Sequence, residues 1–379
     1  MKLFQKNLER FASVENAGSD RAKEIASADH APGQVSSFDR IIKELEQENL
    51  LSSEVTRVKT KVEALCPFDR FLQGLSEEEW RWLAVIELHD EATFEHSLGT
   101  YLTAKEKIEH ELKPELGEPI RLELGDHDVF YRACLFHDIG KVEIPSEILN
   151  HPLDESGWDE KLADCCADAE CRAGILDNLA PADRLAIAEA GTAPDALLDY
   201  LRSAKVPTKQ IIPLKNLLEP AAAAKLSAYA LGRSLGRVMM DHEQASRAIL
   251  EASGRSVEAR LVGSHHGYGD NSRKTLDDYP ASLSTLRMGN TLIQLSDIQS
   301  AFNEYTHPRN YLRGYNADEA RCLALGEIID KTAEGKIIEK YARLWLEVEY
   351  GKISHENIEK SQARDALDKV DAFRKAKKD

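Results

Sequence analysis

The chain has 379 residues, with 49 Lys plus Arg against 66 Asp plus Glu, and its formal net charge is −17. This acidity argues against a protein that coats polymeric nucleic acid, although metals or local cations can still bind a small phosphorylated ligand. The first residues lack the apolar stretch of a signal peptide, and no uncharged run approaches the roughly 20 residues that span a bilayer. We therefore expect a cytoplasmic protein without a membrane span.

The N-terminal region, residues 1–66, is predicted to combine a linker with helices. A Pro32-Gly33 break follows a polar stretch, and apolar residues recur at helical spacing from Ser37 onwards. Residues 38–66 are interpreted as one or two amphipathic helices, either a dimerisation element that makes a homodimer or a flap on the core. Strand patterns are nearly absent throughout, so the predicted fold class is all-α.

Residues 67–158 contain the most informative motif, His137-Asp138, which lies in an apolar stretch and is followed by Gly140-Lys141. Adjacent side chains on a helix point about 100° apart, so both can serve one metal site only where a helix end lies close against it. Imidazole and carboxylate together suit Mn, Fe or Zn, whereas an all-oxygen set suits Mg or Ca. Further candidate ligands lie in apolar surroundings elsewhere in the chain: His96, His242, His265, His266 and Asp297.

Residues 159–236 are rich in Ala and Leu, and prolines divide them into about four short helices. We interpret this segment, called the insertion below, as either an inserted helical subdomain or a replacement for the lid over the site. The alternative is a surface decoration. Three cysteines, Cys165, Cys166 and Cys171, lie in it without a CxxC pair. Buried reduced thiols are therefore favoured over a zinc site.

Residues 237–350 are predicted to be a second part of the core, with helical periodicity resuming beyond Asn316 through Tyr350, and residues 351–379 are predicted to be a C-terminal helical tail. Asp297 lies in an apolar helix, where an unpaired buried carboxylate would cost several kcal/mol, so a metal or a cationic partner is indicated. The Lys-rich stretch from Gln362 onwards is interpreted as a solvated amphipathic helix.

Five motifs resemble, in chain order, the successive ligand motifs of the HD superfamily of metal-dependent phosphohydrolases. They are Glu95-His-Ser-Leu98, His137-Asp-Ile-Gly-Lys141, Met240-Asp-His242, His265-His266 and Leu295-Ser-Asp297. Residues 141–150 are similar to the HD-GYP branch, whose members hydrolyse cyclic dinucleotides such as cyclic di-GMP. The resemblance implies an all-α HD-domain core. In this chain the insertion interrupts it, because His242 comes some eighty residues after Trp158 instead of within a couple of helical turns.

The resemblance also implies two divalent metal ions, with Fe or Mn favoured and Zn, Mg or Ni as alternatives. The ligands of one ion would be His96, His137, Asp138 and Asp297. The other ion would share Asp138 and take His242, His265 and His266. His89, on the helical face of His96, is an additional candidate.

The implied reaction is hydrolysis of a phosphodiester by a hydroxide that bridges the two metals. Asp138 and Lys141 would be the catalytic residues, with the Lys141 ammonium against the phosphate of a small phosphorylated substrate. Tyr268 and Arg309 are further candidates for substrate binding. The leading hypothesis is thus a phosphodiesterase that acts on a cyclic dinucleotide or a related small phosphoester.

Departures from the HD-GYP pattern keep two alternatives open. The glutamate that supports a third metal in some members is replaced by Ala92, so two metals are expected. The double histidine is followed by a compressed Gly-Tyr-Gly-Asp at 267–270 and not by a longer Gly-Tyr-Pro loop, which weakens the case for a guanine dinucleotide. The alternatives are an HD-type nucleotide phosphohydrolase and a non-catalytic nucleotide sensor. The complete ligand set and Lys141 argue against the sensor.

Overall fold

The computed structural model describes residues 20–27, 37–117, 127–144, 146–149, 158–179, 181–204, 206, 208–218, 223, 228–263, 265–266, 284–302 and 314–376. Within these ranges the chain forms helices and no β-strand, which confirms the predicted all-α fold. An isolated β-bridge pairs Pro213 with Ser234. No helix in this part of the chain is long and apolar enough to cross a membrane.

The helices before the insertion are α1 (Asp20–Ser27), α2 (Ser37–Gln47), α3 (Leu51–Leu65), α4 (Arg70–Gln73), α5 (Glu77–His89), α6 (Glu91–Glu106), α7 (Asp128–Phe136) and α8 (Ser146–Leu149). Two π-helical turns, Lys107–Glu111 and Lys113–Gly117, follow α6, and the 3-10 helix Ile139–Glu143 follows α7.

The next helices are α9 (Trp158–Ala167), α10 (Ala169–Asn178), α11 (Pro181–Ala190), α12 (Pro194–Ser203), α13 (Leu214–Leu217) and α14 (Ala228–Leu231), with a 3-10 helix at Thr208–Gln210. The chain continues with α15 (Leu235–Ala252), α16 (Ser256–Val262), α17 (Ser284–Phe302), α18 (Ala317–Ala333), α19 (Glu339–Tyr350), a 3-10 helix at His355–Asn357 and α20 (Ser361–Lys375).

Side-chain caps fix where the two helices that lead to the site begin. At α5, Ser76 accepts the N–H of Glu79 and the Glu79 carboxylate accepts the N–H of Ser76, which is a capping box. At α6, the Asp90 carboxylate accepts the N–H of Thr93. Each such cap typically contributes about 1 kcal/mol. The Asp90 cap therefore sets the register that places His96 in the second turn of α6.

The main hydrophobic core joins helices from both sides of the insertion. Its largest fully buried side chains include Phe94, Tyr101, Phe130, Phe136 and Trp345. The N-terminal helices α2 and α3 pack on this core, and residues 38–65 contribute apolar side chains to it. The interpretation of these helices as a flap on the core is consistent with that position, whereas the homodimer stays a prediction.

The C-terminal helix α20 packs against α18 and is not a solvated tail. Ala363 and Val370 are fully buried, and Ala366 and Leu367 are nearly so. A Cβ at Gly326 of α18 would lie 3.1 Å from the Cβ of Ala366, so the two helices approach closely. The interpretation of this stretch as solvated is wrong because its apolar face completes the main core.

The insertion has a hydrophobic cluster of its own, with buried residues between Leu162 and Leu217. A third cluster lies between the insertion and the helical core. It joins Leu214 and Leu218 to Ile144 and Ile148 on one side, and to Leu235 and Val238 at the start of α15 on the other. The insertion is thus attached next to the residues that follow His137-Asp138 and next to the N-terminal part of α15.

The expectation of reduced thiols in the insertion is wrong for two cysteines. Cys165 and Cys171 form a disulfide, and their Cα atoms are 5.0 Å apart. The Asp168 side chain accepts the N–H of Cys171 and starts α10 directly after α9, so the chain turns back between the two cysteines. Cys166 is buried as a free thiol.

Candidate metal centre

The His137-Asp138 pair lies at the junction between α7 and the 3-10 helix Ile139–Glu143. His137 is fully buried and Asp138 is 1 % exposed. The neighbouring Gly140 lies against α15, where a Cβ would collide with the backbone at His242 and Ser246, and its N–H donates to Oγ of Ser246 at 2.8 Å. The glycine therefore lets α15 bring His242 up to the pair.

His96 and Asp297 reach the same place from α6 and α17. Nε2 of His96 lies 2.8 Å from Oδ1 of Asp297, and both side chains are buried. These helices cross closely, since a Cβ at Gly99 would lie 2.5 Å from Oγ of Ser300. That hydroxyl donates to the carbonyl of His96 at 3.3 Å, which holds the two helices in register.

The remaining histidines come from α15 and from the end of α16. Nε2 of His242 lies 3.3 Å from Nε2 of His265 and 3.2 Å from Nε2 of His266. The buried carboxylate of Glu243 accepts the backbone N–H of His266 at 2.6 Å. Glu243 thus fixes the double histidine from the residue that follows His242.

The two oxygens of Asp138 face different sets of histidines. Oδ1 lies 3.1 Å from Nε2 of His242 and 3.5 Å from Nε2 of His265. Oδ2 lies 3.3 Å from Nε2 of His137 and 3.6 Å from Nε2 of His96. A carboxylate in this position can serve two cations at once, one through each oxygen.

Three histidines are oriented by their own helices. Nδ1 of His137 lies 2.9 Å from the carbonyl of Cys134, and Nδ1 of His265 lies 2.7 Å from that of Val262. Nδ1 of His242 makes the same contact with the carbonyl of Met239. A ring that donates from Nδ1 keeps a lone pair on Nε2, which is how protein histidines are usually prepared for a metal.

Electrostatics leave both carboxylates ionised. Burial alone would raise the pKa of Asp138, but His137 and Lys141 hold it well below its ordinary value. Asp297 is held low in the same way, against its burial, by the nearby His137 and by its hydrogen bond with His96. Burial lowers the pKa of His137, but the carboxylates of Asp138 and Asp297 outweigh it and raise the pKa to about 10. A metal bound to Nε2 of His137 would displace this proton.

These residues form two groups, each of which could hold a metal ion. One group contains Asp138, His242, His265 and His266, and the other contains His96, His137 and Asp297; within each, the ligand atoms lie within 4.8 Å of one another. Buried atoms Nε2 of His137 and Oδ1 of Asp138 make no hydrogen bond with any described residue. Such atoms are costly to bury without a partner. Mixed nitrogen and oxygen donors suit Fe, Mn or Zn better than Ca.

Lys141 lies beside the shared carboxylate. Its Nζ is 2.5 Å from Oδ2 of Asp138, and its side chain is 13 % exposed, so the ammonium reaches the centre from a partly open side. His89 does not join either group, because its Nε2 lies 2.9 Å from the carbonyl of Ile144. Tyr268 and Arg309, the other predicted substrate contacts, lie outside the described residues.

The structure therefore brings all seven predicted ligands and Lys141 together. Their role as ligands stays a prediction. Sequence reasoning missed Glu243, Ser246 and the two close helix crossings at Gly99 and Gly140. A polar residue next to His242 was the only available signal for Glu243, and it is a weak one, because acidic residues are common on helices.

The comparison with protein families covers one part of this centre. Residues 93–165 match the family model described as HD domain, a range that contains His96, His137, Asp138 and Lys141. No curated protein and no solved structure matches the chain. The double histidine, His242 and Asp297 lie beyond the matched range, so their place in the centre rests on the geometry alone. Residues 93–165 are thus similar to the HD domain, and this match supports a relation to the HD superfamily.

Proposed function

We propose that this chain is a dinuclear metal-dependent phosphodiesterase that hydrolyses a cyclic dinucleotide or a related small phosphoester. The observation that carries the proposal is the position of Asp138 between two groups of histidines, with one carboxylate oxygen towards each. A mononuclear site would not need the second group. The HD domain match suggests a metal-dependent phosphohydrolase and agrees with this assignment.

The metals, when bound, would lower the pKa of a water molecule and neutralise charge on the phosphoryl group. The protein contributes a set of ligands that is mostly buried. His96, His137 and His265 are at most 2 % exposed, and the His266 side chain, at 26 %, is the most open of the seven ligands. The substrate phosphate would therefore approach from the side of His266 and Lys141.

Lys141 is assigned to the phosphate and not to the metals. An ammonium cannot ligate a cation, and at its position beside Oδ2 of Asp138 it can shift by a few ångströms to meet an anionic oxygen. It would then stabilise negative charge that develops on the phosphoryl group or on the leaving oxygen. The charge of Lys141 also keeps Asp138 deprotonated before metal binds.

A second candidate function is the hydrolysis of a nucleotide by a rebuilt HD site. The insertion favours it, because Leu214 and Leu218 pack against Ile144 and Ile148, directly after the predicted catalytic lysine. A helical body attached there can change which substrates reach the metals without changing the ligands. A sensor that binds a nucleotide without turnover is the remaining alternative.

A substrate screen of the metal-reconstituted protein separates these functions. It should include cyclic dinucleotides, mononucleotides and a generic aryl phosphodiester, with the Asp138→Ala variant as the blank. We expect metal-dependent cleavage of at least one phosphodiester, with a cyclic dinucleotide preferred. Preference for mononucleotides would favour the second function. Tight nucleotide binding without any turnover in the metal-loaded protein would contradict both enzymes and favour the sensor.

A further inference from the structure

Two arginines converge on one carbonyl where the insertion meets α15. Nε of Arg184, on α11, donates to the carbonyl of Leu179 at 2.9 Å, and Nη2 of Arg237, on α15, donates to the same oxygen at 3.3 Å. Two nitrogens at these distances from one oxygen cannot be more than about 6 Å apart. Each guanidinium has five N–H donors, so most of the donors of both remain available.

Capping of a helix end explains one of these arginines but not both. Leu179 ends α10, and a single basic side chain on such a carbonyl is a common helix cap. The second guanidinium adds repulsion to the first. Burial and the charges of Arg184 and Arg233 lower the pKa of Arg237, against the opposing effect of the exposed Asp177.

Among the described residues, the positive charge of this pair is offset only in part, by Asp177. Arg233 is paired with Asp241 through both of its terminal nitrogens. Neither Arg184 nor Arg237 forms an ion pair with any residue that the structure describes, although the chain carries a net charge of −17. The point that both guanidinia face is occupied by the Leu179 carbonyl. Their remaining N–H groups lie on two forked donors close to each other, and such donors can bind one phosphate group bidentately.

The position of the pair separates it from the metal centre. Arg237 precedes His242 by five residues on α15, which corresponds to roughly 7.5 Å along the helix and about 140° around it. The guanidinium therefore projects from a different face of α15 than the ligand does. An anion between Arg184 and Arg237 would join the insertion to the helix that carries His242 without occupying the metal centre.

We propose that Arg184 and Arg237 form a second site, which binds the phosphate group of a small molecule and clamps the insertion to α15. The phosphate could be free or part of a nucleotide, because the recognition chemistry is the same. This inference goes beyond the proposed hydrolysis and does not depend on it, since binding at this site requires neither metal nor turnover.

Calorimetric titration of the full chain with inorganic phosphate tests the site. Titrations with chelator present and after metal reloading separate it from phosphate bound at the metal centre. We expect binding that persists in chelator and weakens at least tenfold in Arg184→Ala/Arg237→Ala. The control Arg202→Ala/Arg374→Ala removes the same charge from an exposed and a half-buried arginine, which pair with Asp159 and Glu347, and should bind like the wild type.

A parallel titration with a nucleoside monophosphate identifies the source of the phosphate, because binding at least tenfold tighter than free phosphate would indicate a nucleotide. Phosphate should also slow hydrogen exchange in α10 and α11. Equal affinities in the double variant and its control, or no binding in chelator, would overturn the proposal. If the double variant does not fold, Arg237→Lys replaces it. This variant keeps the positive charge but loses the paired N–H donors of the guanidinium. An unchanged affinity for phosphate would likewise overturn the proposed site.

Discussion

The helical core and the insertion bury different kinds of side chains. The core buries charged and imidazole groups around Asp138, and every predicted ligand belongs to it. The cluster inside the insertion consists of aliphatic residues and cysteines, and no described residue of the insertion belongs to either ligand group. The proposed chemistry therefore belongs to the core. Among the described residues, the insertion contacts the core at the residues after Lys141 and at the start of α15, so its effects are expected through these two segments.

The largest effect is expected from Asp138→Ala, which should abolish both metal occupancy and phosphodiesterase activity. The substitution removes the carboxylate that faces both ligand groups, and it leaves five histidines to repel one another once protonated. Metal analysis and turnover should be measured together. The control is His110→Ala, because His110 is exposed and belongs to neither group. Similar behaviour of the two variants would mean that the centre is misplaced.

Lys141→Ala should keep the metals and lower turnover by roughly 10²-fold, the scale of one lost electrostatic contact in the transition state. The effect should fall on kcat more than on KM, because the ammonium is assigned to developing charge. Lys369→Ala, a change on the surface of α20 where the lysine pairs with Asp330, serves as the control. Normal kinetics in Lys141→Ala would mean that this lysine only forms an ion pair with Asp138 and does not contribute to turnover.

Glu243→Ala should weaken binding of one metal by roughly 10–100-fold, as is typical when a group that orients ligands is lost. Its carboxylate holds the backbone of His266, so only the group with His242, His265 and His266 should loosen. Metal titration followed by calorimetry would show one weakened and one unchanged site. Glu251→Ala, an exposed position of α15 that pairs with Arg247, is the matched control. Equal weakening of both sites would argue for a general loss of structure.

The smallest effect on the metals is expected from changes in the insertion. Leu214→Ala should lower the free energy of unfolding by about 2–5 kcal/mol, because Leu214 is 1 % exposed in the cluster shared with Ile144 and Val238. Metal content should not change, while substrate preference should. Leu185→Ala, at a 66 % exposed position of α11, should be nearly neutral in both respects. An unchanged substrate profile in Leu214→Ala and after replacement of residues 159–236 by a short linker would leave the insertion as a surface decoration.

The sequence was most informative where a polar side chain would be costly to bury without a metal or a charged partner. An aspartate in the apolar helix α17 and a His-Asp pair in the apolar stretch at the end of α7 both indicated a metal centre, and the structure places them together. The all-α fold followed from helical periodicity and the near absence of strand patterns.

Contacts between distant helices could not be predicted. Gly99 and Gly140 carry no local signal, because their role depends on the helices that cross them, α17 and α15. The pairing of Cys165 with Cys171 depends on the turn that Asp168 starts, and the burial of α20 depends on Gly326 in α18. In each case, the pattern of one segment does not show which other segment packs against it.

Elemental analysis of protein purified without oxygen directly tests whether Asp138 holds two metal ions together. We expect close to two transition-metal ions per chain, with Fe or Mn favoured, and almost none in Asp138→Ala, because both ligand groups depend on this carboxylate. Wild-type protein without metal, or a metal that remains in Asp138→Ala at the wild-type level, would contradict a dinuclear centre built around Asp138.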